Sequence, residues 1–165
     1  MTQSSGTPGA HVGHGHLKVA DIARATKFYT DVIGMRVVTE YGDQAIFLSF
    51  DDYHHHLGLN TWQSKDGTPP PPGHTGLFHI AFVYPTRAAL GQVIDRVYAH
   101  GYELDGAADH GVSQAVYMTD PDGNGVELYW DRPKEQWDFD ENNVLKMVNS
   151  PLDVDAIVAE GRAAA

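Results

Sequence analysis

Two imidazoles and a carboxylate, His14, His79 and Glu127, each stand at the edge of a short apolar run in this chain of 165 residues. Such a trio is the smallest donor set that grips a divalent ion on one side while leaving its other side open to ligands. The pattern points to a metal enzyme. Two further stretches, YHHHLGL around His55 and DHGVSQAVY around His110, would bring proton-handling groups close by, because an imidazole changes charge near neutral pH.

The placement of the trio is what raises it above three isolated residues. His14 leads through Ala20 and Asp21 into a helix-like pattern, and His79 leads through Pro85 and Thr86 into another. Glu127 follows the turn DPDGNG and is flanked by Val126 and Leu128. A charge there is costly to bury unpaired, so something cationic should meet it. His16 shares a strand face with His14 and competes with it, but the position matching His79 favours His14. His11 reads as solvated lead-in, and His74 and His100 as surface groups. With no cysteine in the chain, disulfides and thiolate ligands are excluded, so a metal must be held by nitrogen and oxygen.

Composition narrows the partners. A formal net charge of -11 and a pI near 5.1 exclude a nucleic-acid surface, which needs a positive stripe. No apolar run approaches the roughly 20 residues of a membrane helix. The start MTQSSGTPGA lacks the basic and apolar parts of a signal peptide, so the expectation is a cytoplasmic protein with no membrane partner.

The elements that must position these residues come in two similar sets. Residues 1–12 read as a flexible lead. HGHLKV alternates as a strand and ends at Asp21, an N-cap, after which Ile22, Ala25, Phe28, Tyr29, Val32 and Ile33 recur at helical spacing until Gly34. MRVVTEY, QAIFLSF and HHHLGLN follow as strands. The proline-rich SKDGTPPPPGHTG removes backbone donors and must be an irregular connection. The plan then returns. LFHIAFV is a strand, Thr86 an N-cap, Leu90, Val93, Ile94 and Val97 one helix face, and Gly101 its stop; YELDGA, SQAVYMT and VELYW complete the set. The expected fold is α+β, with two βαβββ modules (13–62 and 76–133, linker 63–75) forming one domain over 13–133. Their sheets should make a curved surface around a central cleft, helices outside. The tail 134–165 reads as a docking arm over the cleft or a partner subunit, with helical faces at Val144, Leu145 and Val148 and at Val154, Ile157 and Val158.

The runs GHGHLKVADIARATKFYTDVIGM, GLFHIAFVYP and DHGVSQAVYMTDPDGNGVELYWDRP resemble the vicinal oxygen chelate superfamily, and within it the single-domain type I extradiol (catechol 2,3-) dioxygenases. The resemblance spans roughly Gly13 to Pro133. It implies Fe(II) held by His14, His79 and Glu127, dioxygen as co-substrate, and a small aromatic diol, catechol or a substituted catechol such as L-DOPA, as substrate. Within HGVSQAVYMTDPDGNGVE it implies His110 and Tyr117 as catalytic residues, His110 standing two residues closer to Tyr117 than in ring-cleaving members. HHLGL places His55 as the catalytic acid/base, with His54 and His56 on the opposite face of a regular strand. A homodimer is implied as well.

The superfamily leaves rivals open. A glyoxalase-like lyase or isomerase would bind Ni(II) or Zn(II), with Mn(II) another alternative to iron, and would recruit His56 as a fourth ligand. A non-catalytic drug-binding resistance protein would have no need of the trio.

Overall fold

Asp21 begins the first helix by accepting the Arg24 N–H at 3.0 Å, and Thr86 begins the second by accepting the Ala89 N–H at 3.0 Å. Each thereby satisfies a donor that a helix start leaves unpaired. The computed structural model describes residues 6–165. Residues 1–5 of the expected lead lie outside that range, and residues 6–14 form neither helix nor strand. The first module runs β1 (Gly15–Lys18), α1 (Ile22–Lys27, continued by a π-helical turn Phe28–Val32), β2 (Arg36–Tyr41), β3 (Ala45–Ser49) and β4 (Leu57–Asn60). The second repeats it with β5 (Ile80–Val83), α2 (Arg87–Ala99), β6 (Gly106–Asp109), β7 (Ser113–Thr119) and β8 (Gly125–Asp131), and α3 (Val154–Ala163) comes after.

The two sheets have the same connectivity, β1-β4-β3-β2 and β5-β8-β7-β6. In each, the first strand lies parallel to the last and the other pairs are antiparallel. This is the α+β arrangement expected from the repeated pattern. Strand alternation assigns the faces. Leu17, Ile46, Leu48, Leu57, Leu59, Phe82, Val116, Met118, Val126 and Leu128 are buried under the helices in one continuous core with Leu90, Val93, Ile94 and Val97 of α2. Their neighbours in sequence, among them Tyr117 and Glu127, therefore face the other way.

Polar bonds on the helical side lock the modules together. Tyr84 Oη donates to the Ile33 carbonyl at 3.0 Å and Arg96 Nε to that of Val32 at 3.1 Å, so side chains of module two cap carbonyls left free at the end of module one's helix. Tyr29 Oη donates to Asp120 Oδ2 at 2.9 Å. The same Asp120 shapes the DPDGNG turn by accepting the N–H groups of Asp122 and Asn124 at 2.9 and 2.8 Å. Burial, and then the charge of Asp120, push the Tyr29 phenol well above its usual range, so it stays a donor.

Four expectations are corrected. His14 and His79 stand just before β1 and β5 instead of within them. His54, His55 and His56 precede β4, because Asp51 Oδ1 captures the Tyr53 N–H at 2.8 Å and bends the chain there; strand parity therefore does not sort the three. The strand expected at YELDGA starts only at Gly106, since Tyr102 and Leu104 turn to pack on the core. Val144, Leu145 and Val148 are extended, not helical: Asp140 Oδ1 accepts the Asn142 and Val144 N–H groups, both at 2.8 Å, in a turn that leads to isolated bridges Phe139–Leu145 and Asp109–Ser150. The helix expected from Val154 is present as α3 and buries Ile157 and Val158. Among the described residues no helix is long and apolar enough to cross a membrane.

Candidate metal and catalytic site

Gly125 lets the chain before β5 pass unusually close to the start of β8. A Cβ there would lie 2.1 Å from the Phe78 carbonyl oxygen and 3.1 Å from the His79 Cβ. That approach carries His79 Nε2 to 2.9 Å from Glu127 Oε2. Tyr117 is the register partner of Glu127 across the β7–β8 pair; its hydroxyl stands 3.3 Å from Glu127 Oε1 and 2.6 Å from His110 Nε2. Four of the sequence-derived residues thus form one chain, His79, Glu127, Tyr117 and His110. His79, Tyr117 and His110 line a cavity of ≈ 550 Å³ together with Phe78, Asp105 and Asn149.

The electrostatics of this chain favour a cation. The Glu127 side chain is 13% exposed, and among the described residues no Lys or Arg pairs with it. A withdrawn carboxylate with only an imidazole and a phenol for company has acceptor capacity left over. Burial, and then the Glu127 charge, push the Tyr117 phenol up to about 12, so it keeps its proton at neutral pH and acts as a hydrogen-bond donor.

Module one contributes looser groups. The His14 ring is exposed and lies 4.3 Å, centroid to centroid, from that of His55. His54 Nδ1 and His55 Nδ1 are 2.7 Å apart, so one must donate and the other accept. Burial, and then the neighbouring imidazoles led by His14, hold His55 below the usual imidazole range. It is therefore a neutral ring near pH 7. His16 packs instead against Phe47 and Trp62. His56 Nδ1 lies 2.9 Å from Ser49 Oγ, and with His14 it borders a cavity of ≈ 510 Å³ along β5.

The backbone brings the two groups side by side. A Cβ on Gly15 would stand 2.6 Å from Ile80 Cδ1, so the residues following His14 and His79 touch. The side chains themselves divide into His79 with Glu127 and His14 with His55. Among the described residues no three His, Cys, Asp or Glu side chains stand close enough to hold an ion. Two nitrogens and a carboxylate oxygen remain the donor chemistry of a Mn, Fe, Ni or Zn site, and the unpaired acceptor capacity of Glu127 fits such an ion.

Two contributors were missed in the sequence. His54 bonds to His55, which the expected strand would have pointed away. The tail reaches the site through the Val148 carbonyl, which accepts from His110 Nδ1 at 2.9 Å; a main-chain acceptor leaves no mark in the residue pattern.

Comparison with known proteins agrees with this architecture. Residues 10–128 match the model of the Glyoxalase/Bleomycin resistance protein/Dioxygenase superfamily. A catechol-2,3-dioxygenase of Bacillus subtilis (strain 168) is 33% identical over 150 residues, covering 91% of this chain and 52% of the relative. A biphenyl-2,3-diol 1,2-dioxygenase 3 of Rhodococcus globerulus is 34% identical over 134 residues, covering 78% of this chain and 68% of the relative. The chain thus spans about half to two thirds of the length of these relatives. Among solved structures, a lactoylglutathione lyase from Agrobacterium tumefaciens superposes with a TM-score of 0.58 at 25% identity, covering 75% of this chain and 96% of that one. A glyoxalase/dioxygenase from Nostoc punctiforme reaches 0.63 at 19% identity, covering 81% and 100%, a likeness of fold.

Proposed function

Because the chain belongs to the glyoxalase/bleomycin resistance protein/dioxygenase superfamily, we propose that it is an extradiol dioxygenase that opens the ring of a catechol-type substrate with dioxygen. The observation that carries this reading is the run of polar contacts His79, Glu127, Tyr117 and His110, each neighbour 2.6 to 3.3 Å from the next, at a cavity. Its support from relatives is the pair of ring-diol dioxygenases matched above.

His14, His79 and Glu127 would hold the metal, Fe(II) in the first instance. When bound, such an ion would supply Lewis acidity toward the substrate oxygens and a one-electron redox partner for dioxygen. The residues of the chain then have separable tasks. Glu127 and His79 fix the metal end of the cavity. Tyr117, protonated at neutral pH, hydrogen-bonds a substrate oxygen and sets the ring's orientation. His110 stands behind Tyr117 as the next proton acceptor. His55, neutral because burial lowers its affinity for protons, has its lone pair free to take the proton of a substrate hydroxyl and return it later. The ≈ 550 Å³ cavity lies within the ordinary range for small-molecule sites.

One observation favours a second reading, a glyoxalase-type lyase: His56 borders a cavity together with His14, as a fourth ligand would. Oxygen consumption separates the two. Protein loaded anaerobically with Fe(II) and mixed with catechol or L-DOPA is expected to take up oxygen and give a yellow ring-opened product. A panel of catechols producing no uptake would hand the case to the lyase. A homodimer acting in the cytoplasm completes the proposal.

A further inference from the structure

We propose that the C-terminal segment around Val148, outside the residues matched to the family, fixes the tautomer of His110 and so decides to which neighbour Tyr117 gives its proton. The segment is tied to the site by three main-chain bonds. Val148 N–H donates to the His110 carbonyl at 3.1 Å, Ser150 N–H to the Asp109 carbonyl at 3.0 Å, and Asp109 N–H to the Ser150 carbonyl at 2.9 Å. These hold the Val148 carbonyl 2.9 Å from His110 Nδ1. A carbonyl only accepts, so Nδ1 carries the hydrogen.

The consequence passes along the chain. In the neutral ring so fixed, Nε2 keeps its lone pair and faces the Tyr117 hydroxyl at 2.6 Å. Tyr117 has one proton and two acceptors, His110 Nε2 and the more distant Glu127 Oε1 at 3.3 Å. The clamp directs that proton to His110. The phenolic oxygen then keeps its lone pairs for a donor in the cavity, and a substrate hydroxyl can bond to it while a basic nitrogen stands behind. In the opposite tautomer Nε2–H would donate to Tyr117, the phenol would turn its proton to Glu127, and the Nδ1 lone pair would face the Val148 carbonyl oxygen. The proton path would run the other way. Val148 is thus a positioning residue acting through its main chain. What the proton is used for rests on the dioxygenase reading; the tautomer does not.

The test is nitrogen-15 NMR of the histidine side chains in the metal-free, full-length protein, with His110 assigned from the resonances lost in His110→Gln. The expected pattern is Nδ1 protonated and Nε2 bare at a pH where the ring is neutral. Val148→Pro, which removes the N–H bonded to the His110 carbonyl, is expected to return the ring to the Nε2–H form usual in a free histidine side chain. In the iron-loaded protein it should lower kcat by about tenfold with KM little changed, less than the roughly hundredfold or more of a general acid/base itself, because Val148 acts through another residue. If thermal melting shows that this variant does not fold, Ser150→Pro breaks the neighbouring bond in its place. An Nε2-protonated ring in the unaltered protein, or an unchanged tautomer in a folded proline variant, overturns the proposal. A clamped tautomer in a protein that consumes no oxygen supports it and overturns the dioxygenase reading instead.

Discussion

Module one and module two share a strand order and a helix plan, yet they prepare their site residues differently. In module two, His79, Glu127, Tyr117 and His110 are joined end to end by contacts of 2.6 to 3.3 Å, and the tail braces the far end. In module one, His14 is exposed, His54, His55 and His56 sit in a bend before β4, and every residue of β2 is exposed. The repeat therefore fixes where site residues emerge, while in module two the tail adds a brace on His110. Module two has a tail to close it.

That contrast can be broken at several points. The largest effect is expected from Glu127→Ala, which removes the one carboxylate of the proposed donor set; iron retention, measured by metal analysis after gel filtration, and oxygen uptake should both fall to background. His14→Ala and His55→Ala sharpen the division within module one. If His14 is a ligand and His55 a proton carrier, the first should lose iron and the second should keep it while losing about a hundredfold in kcat; equal iron loss in both would place the metal among the module-one histidines. Tyr117→Phe should retain iron and lower kcat about tenfold to a hundredfold, with an unchanged melting temperature.

Smaller effects test the scaffold beneath. Tyr29→Phe takes one donor from the buried Asp120, whose other bonds remain, and should cost about 1.5 to 3 kcal/mol in denaturant unfolding, the range for a hydrogen bond to a charged group. Asp109 offers a pH test next to His110. Burial works to raise its pKa, but hydrogen bonds from Gln114, the Gly111 N–H and Arg132 outweigh it and leave the carboxyl below its ordinary value. A depressed folded-state pKa stabilises the protein above the unfolded value and loses that contribution as pH falls through the folded one. Asp109→Asn should therefore flatten the acid limb of the stability curve, below about pH 4.

Much of this arrangement was legible in the residue pattern. Asp21 and Thr86 as caps, the stripe Leu90, Val93, Ile94 and Val97, and the strand SQAVYMT all came from local physics: a short oxygen-bearing side chain before a helix, a 3.6-residue period, a two-residue period. The turn at DPDGNG between the last two strands was legible too, while the register that pairs Tyr117 with Glu127 across them came from the structure. What escaped depends on interactions distant in sequence or on the main chain. The HHHLGLN run alternates well enough for a strand, but Asp51 captures the Tyr53 N–H and bends the chain first. Val144, Leu145 and Val148 have a helical spacing that Asp140 overrides by seizing two N–H groups. The clamp on His110 is a carbonyl, identical in every residue.

His14, His79 and Glu127 must serve one ion if this chain is the dioxygenase proposed, and a crystal structure of the anaerobically iron-loaded protein, with iron located by anomalous scattering, tests that most directly. The expected density is a single peak bonded to His79 Nε2 and a Glu127 oxygen, with the His14 ring turned from His55 to complete the set. A peak among His14, His54 and His55, away from Glu127, would contradict it.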